Sequence, residues 1–217
     1  MSMRAAPRAD AAHTPRHADI GLRSETAEFG MWIFIATEIL FFGGLLFAYL
    51  VARARWPAGF ALAGRHADVL LGTLNTAVLL TSSFAVALAV AAKEHEQDRW
   101  VARCLWLTAA LGLVFLAIKG IEYTNDWHER LIPGSGFALA GTPGAEQFFV
   151  LYFLTTGLHA VHLSIGIGVM AAFARGVRRS GSWAHPPRLQ VAALYWHFVD
   201  VVWICLYPLL YLVQRHP

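Results

Sequence analysis

The sequence predicts an all-α integral membrane protein, a bundle of five transmembrane helices. The chain has 217 residues, of which 57% are hydrophobic and only 14% are charged, whereas soluble domains carry about 25% charged residues. The apolar residues form five runs, each of roughly the 20 residues needed to cross a bilayer. This composition excludes a disordered chain, a collagen-like chain and a small disulfide-stabilised domain.

The elements follow in order along the chain. Residues 1–28 are polar and lack the apolar centre of a secretory signal, so they are predicted to form a polar N-terminal tail. The remaining residues, 29–213, form one predicted domain with no internal repeat and no separate soluble unit. Its predicted spans are 29–51, 70–92, 101–122, 146–174 and 190–213.

The connections between the spans are predicted to be loops. The first, 52–69, contains proline and glycine, and the third, 123–145, is rich in both. The second, 93–100, is short and charged, and the fourth, 175–189, is basic. The net charge of +3 is not gathered into a basic run, so a nucleic-acid partner is not expected.

The distribution of lysine and arginine predicts the orientation in the membrane, because short cytoplasmic loops are enriched in these residues. With five spans, the N-terminal tail and the second and fourth loops share one side. That side carries eleven such residues: Arg4, Arg8, Arg16, Arg23, Lys93, Arg99, Arg103, Arg175, Arg178, Arg179 and Arg188. The other side carries five: Arg53, Arg55, Arg65, Arg130 and Arg215. The N-terminus is therefore predicted to be cytoplasmic and the C-terminus periplasmic.

Five ionisable residues fall at a similar depth inside three of the predicted spans. They are Glu38, His159, His162, His197 and Asp200. A carboxylate at the centre of a membrane helix costs about 2.5–3.5 kcal/mol on insertion scales, so these side chains are expected to face protein or water. The pattern predicts a polar layer inside the bundle.

Helical spacing refines this layer. His159 and His162 share one face of the fourth span, and His197 and Asp200, three residues apart, are expected to pair with each other. Asn75 is expected to face inward from the second span. For the histidines, interhelical hydrogen bonding is favoured and metal ligation stays open as an alternative.

For the remaining polar residues inside or near the spans, two roles stay open in each case. Glu38 is either a protonated acid that donates one hydrogen bond or a carboxyl that exchanges protons. Lys119 and Glu122, with Tyr123, are expected to form a local ion pair or to contact lipid headgroups. Trp56 and Trp127 lie near span ends, where aromatic side chains favour the membrane interface. No pattern indicates a catalytic nucleophile, a phosphate-binding glycine loop or a zinc site.

Five segments, in order, resemble motifs of the haem–copper oxidase subunit III family. They are GMWIFIATEILFF (30–42), LNTAVLL (74–80), KGIEY (119–123), TGLHAVH (156–162) and YWHFVDVVW (195–203). The chain is similar to the short bacterial form with five helices. The mitochondrial-type form has seven, and its first two helices, which help enclose a lipid-holding cleft, have no counterpart here.

The resemblance implies a non-redox accessory subunit of a terminal oxidase in the bacterial inner membrane. Such a subunit packs directly on subunit I, assembles with subunit II and further subunits, and supports proton uptake and stability during turnover. The haems and copper are expected in partner subunits, with no catalytic residue and no metal site in this chain, and a structural phospholipid is expected. A quinol oxidase, a nitric oxide reductase accessory subunit and a stand-alone proton-coupled transporter remain alternatives.

The resemblance also bears on individual residues. It places Glu38 at the family's buried, carbodiimide-reactive glutamate. It places His159, His162, His197 and Asp200 at internal polar positions of the family, which favours hydrogen bonding over metal ligation.

Overall fold

The computed structural model describes residues 15–180 and 186–212, and within these ranges the chain is helical, with its longest connection at 129–144. The helices are α1 (Pro15–Arg55), α2 (Pro57–Gly64), α3 (Val69–Glu94), α4 (Asp98–His128), α5 (Ala145–Ser180) and α6 (Pro186–Tyr207), and α6 continues into a π-helical turn (Pro208–Leu212). Five stretches are long and apolar enough to cross a membrane: Glu28–Arg55, Val69–Glu94, Asp98–His128, Ala145–Arg179 and Pro186–Leu212. The predicted all-α fold with five spans is confirmed.

The helices differ from the prediction mainly at their ends. α4 continues to His128, six residues beyond the predicted end of the third span, because Asp126 lies on its buried face. The first predicted loop contains the short helix α2, which begins at Pro57. Proline is favoured at a first helical position, where its missing N–H has no partner to lose. Phe60 anchors α2 and is fully buried.

α6 lies at the centre of the bundle. It packs against α1, α3 and α5, while α4 fills the space between α3 and α5. Trp196 and Trp203 of α6 are fully buried, and they lie seven residues apart on the same helix face. Of the five spans, the one in α6 has the largest buried share of its residues and the one in α1 the smallest.

α1 is attached to the bundle along a single stripe. Ile35, Phe42 and Tyr49 are buried at seven-residue intervals, and the Tyr49 hydroxyl donates a hydrogen bond to the backbone carbonyl of Leu209 over 2.7 Å. Met31, Leu45 and Leu46 are partly buried beside this stripe, and much of the remaining apolar surface of α1, including Trp32 and Phe47, is exposed. In a membrane this outer surface meets lipid or another protein.

The π-helical turn begins at Pro208. Proline has no N–H, and its ring crowds the carbonyl four residues earlier, so an α-helix cannot continue through it undisturbed. The wider turn places Tyr211 in the bundle interior, where it is fully buried.

The spans alternate in direction, so the helix ends gather at two ends of the bundle. The start of α4 and the end of α5 meet around Arg103 and Arg178. The segment of α1 around Glu28 and Met31 and the start of α6 meet the end of α3. We call this the basic end. At the opposite end, α2 packs on the loop before α5, where Trp56 faces Gly144. The tail arginines and Arg215, used above to predict orientation, lie outside the described side chains.

Candidate functional site

The first part of the polar layer is a contact between α1 and α5. Glu38 Oε2 lies 3.3 Å from His162 Nε2, and the two side chains are 18% and 15% exposed. The carboxyl oxygen has no hydrogen-bond partner among the described residues, so the two groups approach each other without a hydrogen bond. The other ring nitrogen, Nδ1, lies 2.9 Å from the backbone carbonyl of Leu158.

The hydrogen-bonding chemistry of His162 fixes which ring nitrogen faces Glu38. A carbonyl oxygen only accepts, so Nδ1 must carry a hydrogen and donate it to the backbone carbonyl of Leu158. Nε2 is then the ring atom that lies against the Glu38 carboxyl group.

His159 has a different environment from the one expected. It is almost fully buried, and neither ring nitrogen has a hydrogen-bond partner among the described residues. Its ring instead lies 5.5 Å from that of Phe115 and 5.2 Å from that of Trp203, measured between centroids. The expected interhelical hydrogen bond is absent there, because aromatic rings from α4 and α6 occupy the positions next to the imidazole.

His197 and Asp200 do not pair as the spacing suggested. His197 Nδ1 lies 2.6 Å from Ser83 Oγ of α3, while neither carboxylate oxygen of the buried Asp200 has a described hydrogen-bond partner. Side chains lean towards the N-terminus of their helix. The imidazole therefore leans away from the short Asp200 side chain, which does not reach it, and meets the hydroxyl on α3 instead.

Asn75 faces inward, as its position predicts, and is fully buried. Neither atom of its amide has a hydrogen-bond partner within the described part of the chain. The neighbouring contacts between α3 and α6 are made by tryptophans. Trp196 Nε1 donates to Ser82 Oγ and Trp203 Nε1 donates to Thr76 Oγ1, each over 3.1 Å.

A closed network of charged and phenolic groups joins α4, α5 and the π-helical turn. Lys119 Nζ donates to Glu122 Oε2 at 3.0 Å, to Tyr152 at 2.8 Å and to Tyr211 at 2.7 Å. Each phenol in turn donates to Glu122 Oε1, at 2.8 Å from Tyr152 and 2.7 Å from Tyr211. All the hydrogens of the ammonium group and both carboxylate oxygens are therefore satisfied.

This network decides between the two roles expected for Lys119 and Glu122. Both residues are 3% exposed, so they form an internal ion pair and lie out of reach of lipid headgroups. Tyr123 shares this environment, since its hydroxyl lies 2.6 Å from Thr156 Oγ1. Sequence reasoning missed Tyr152 and Tyr211. Each is a tyrosine within an apolar run. A buried tyrosine hydroxyl usually has a hydrogen-bond partner, so this position could have indicated a polar contact.

The two tryptophans expected at the membrane interface differ from each other. Trp127 is 67% exposed, which fits an interfacial position. Trp56 instead packs on the loop before α5, where Gly144 has a φ of +87° and leaves no space for a β-carbon.

The described residues contain no group of three or more His, Cys, Asp or Glu side chains arranged to hold a metal ion.

Comparison with known proteins places this arrangement in a family. The family profile described as cytochrome c oxidase subunit III matches residues 10–214. The chain belongs to the cytochrome c oxidase subunit III family. The resemblance stated from the motifs is confirmed.

Individual relatives cover most of the chain. The cytochrome c oxidase subunit 3 of Thermostichus vulcanus is 34% identical over 191 residues, which span 86% of this chain and 87% of the relative. The probable quinol oxidase subunit 3 of Staphylococcus haemolyticus is 26% identical over 185 residues, spanning 85% and 87%. The heme-copper oxidase subunit I+III of Aeropyrum pernix is 31% identical over 196 residues, which span 84% of this chain and 22% of that longer protein.

Proposed function

We propose that this chain is the non-redox accessory subunit of an oxygen-reducing, proton-pumping terminal oxidase. The observation that carries the proposal is the family match, which extends over residues 10–214 and thus over all the described helices. Relatives named for cytochrome c oxidase and for quinol oxidase both match over similar lengths. The electron donor proposed for the complex is therefore cytochrome c or quinol.

In this proposal the chain packs directly on subunit I, and the haems and copper belong to the partner subunits. A relative whose name joins subunits I and III in one protein supports a direct association between the two. The exposed apolar surface of α1 offers room for a partner helix or for a structural phospholipid. Its exposed residues include Phe29, Trp32, Ile33, Leu40 and Phe47.

The complex is proposed to lie in the bacterial inner membrane, with the basic end of the bundle in the cytoplasm. The support is the excess of lysine and arginine at that end, since positive charge is retained on the cytoplasmic side. The N-terminus is then cytoplasmic and the C-terminus periplasmic.

The contact between Glu38 and His162 is proposed to support proton uptake by the complex. The support is the contact itself: a carboxyl and an imidazole, both groups able to bind and release protons, lie 3.3 Å apart, and both side chains are partly exposed. The closed network around Lys119 has no such opening. We assign it to holding α4, α5 and the end of α6 together during turnover.

The test is to purify the complex in mild detergent through a tag on this chain and to record its reduced-minus-oxidised spectrum. Co-purified haem bands together with oxygen uptake are the expected result, and the haem type and the accepted donor distinguish cytochrome c from quinol. Nitric oxide consumption without oxygen reduction would assign the chain to a nitric oxide reductase instead. A colourless chain without partners would contradict the accessory role and favour a transporter.

A further inference from the structure

An open cleft of about 700 Å³ lies at the basic end, between the start of α4 and the end of α5. Arg99 and Arg103 line it from α4, and Arg178 lines it from α5. Arg175 lies beside it, with its guanidinium 4.9 Å from the ring centroid of Trp106. No carboxylate in the described part of the chain forms an ion pair with any of these arginines.

The one acidic residue that lines the cleft does not neutralise it. The carboxylate of Asp98 lies 2.7 Å from Lys93 Nζ and is already paired. Four arginines therefore concentrate positive charge in one opening, where like charges repel and a bound anion is favoured. The planar guanidinium group carries a fork of N–H donors that matches a phosphate group, often through two parallel hydrogen bonds.

The surroundings of the cleft favour an anion with an apolar tail. Trp100 is 55% exposed beside it, as is usual for tryptophan at the boundary of a membrane. Towards the centre of the bundle, Leu113 follows Trp106 by seven residues on the same face and is 57% exposed. On α5, Gly168 precedes Arg175 by seven residues and borders open space. An apolar, lipid-facing strip therefore runs from the cleft along both helices.

We propose that this cleft binds the phosphate headgroup of an anionic phospholipid, whose acyl chains lie along the strip between α4 and α5. The cleft is a lipid position separate from the α1 surface, and the inference rests on the proposed cytoplasmic placement of the basic end. Anionic lipids are enriched in the cytoplasmic leaflet, and basic pockets between membrane helices on that side bind their headgroups. The cleft is separate from the Glu38–His162 contact and shares no residue with it.

The test measures lipid binding to the full-length chain in mild detergent by native mass spectrometry. The probes are phosphatidylglycerol, phosphatidylcholine and inorganic phosphate. Arg178→Gln removes one charge from the cleft, and Arg103→Gln removes one from the opposite wall in case the first variant folds poorly. Arg188→Gln is the matched control, since Arg188 lies at the same end on α6 but outside the cleft.

Each cleft variant is expected to bind phosphatidylglycerol about fivefold more weakly than the unmodified chain, the effect of one arginine near an anionic membrane surface. The Arg188→Gln control and phosphatidylcholine binding should not change. An equal loss in the control would show general charge attraction and would overturn the site. Displacement of phosphatidylglycerol by millimolar phosphate would identify a soluble-anion site instead.

A third arm uses the assembled complex. If Arg178→Gln releases this chain from its partners without loss of lipid, an acidic protein segment occupies the cleft, and the lipid assignment is overturned. If the variant loses lipid while haem and oxygen uptake still co-purify, the lipid assignment holds and the accessory role is intact. Failure of the accessory role itself would appear separately, as a tagged chain that carries no haem partner.

Discussion

Replacing Lys119 with methionine would leave the Glu122 carboxylate inside the bundle without a cation. Both side chains are 4% exposed, and removing one partner of a buried ion pair typically lowers the free energy of unfolding by about 3–5 kcal/mol. Tyr152 and Tyr211 would still donate to the carboxylate, so we expect a loss near the lower limit, about 3 kcal/mol. Methionine fills a similar volume, so this loss reports the missing charge and not a cavity.

A second variant separates the charge from the packing. Lys119→Met combined with Glu122→Met removes both charges, and replacing a whole buried ion pair with apolar side chains is often neutral. The hydroxyls of Tyr152 and Tyr211 would lose their charged partners, and each hydroxyl left unsatisfied would lower stability by about 1–3 kcal/mol. The two hydroxyls are close enough to bond each other, which reduces this loss. The double variant is therefore expected to be more stable than the single variant.

The assay is equilibrium unfolding in mixed micelles with increasing dodecyl sulfate, followed by far-UV circular dichroism. Lys93→Met is the matched control, because Lys93 pairs with Asp98 over 2.7 Å at a site where the two side chains are 14% and 42% exposed. Partly exposed pairs contribute about 0–1 kcal/mol. A Lys119→Met variant that unfolds like the control, or a double variant less stable than the single one, would refute the reasoning.

Three further changes test other parts of the structure. Glu38→Gln should abolish carbodiimide labelling of this chain while the complex still assembles, and a label retained on another acid, found by peptide mapping, would contradict the assignment. Ser83→Ala should lower the free energy of unfolding by about 1 kcal/mol, because His197 loses its hydrogen-bond partner on α3. Unchanged unfolding in the same assay would argue against that bond. Gly144→Ala should lower the midpoint of thermal unfolding, because Gly144 has a φ of +87° and the Trp56 side chain fills the space of a β-carbon. Gly141→Ala is the control and should leave the midpoint unchanged, because the space around Gly141 is open.

The fold was predictable because hydrophobic length alone determines where a helix can cross a membrane. The predicted second span, 70–92, lies within α3, and the fifth differs from the observed span by a few residues at each end. The prediction failed where polar residues continue a helix. α4 extends past Glu122, where one face is covered by the bundle: Asp126 is buried and Tyr123 is partly buried. Local polarity alone indicated a loop there.

The depth of the candidate site in the membrane was predictable from the sequence, but the contacts of its individual side chains were not. Counting residues from the span ends placed Glu38 and His162 at the same level, and the two are in contact. The partner of His197 was wrong, because it depends on how α3 and α6 are rotated about their own axes, which spacing within one helix does not encode. Tyr152 and Tyr211 were missed because tyrosine in an apolar run is counted as hydrophobic.

The single buried stripe of α1 has a consequence for biogenesis. Tyr49 bonds to a carbonyl 160 residues later in the chain, and Glu38 contacts a histidine on α5. At about 5–20 residues per second, a ribosome needs roughly 8–32 s to complete the segment that carries the acceptor of Tyr49. During that interval α1 is already synthesised, while α6 and the π-helical turn, against which its buried stripe packs, are not yet complete. Insertion of the first span is therefore the step at which this protein depends most on help from the translocon or from a partner subunit.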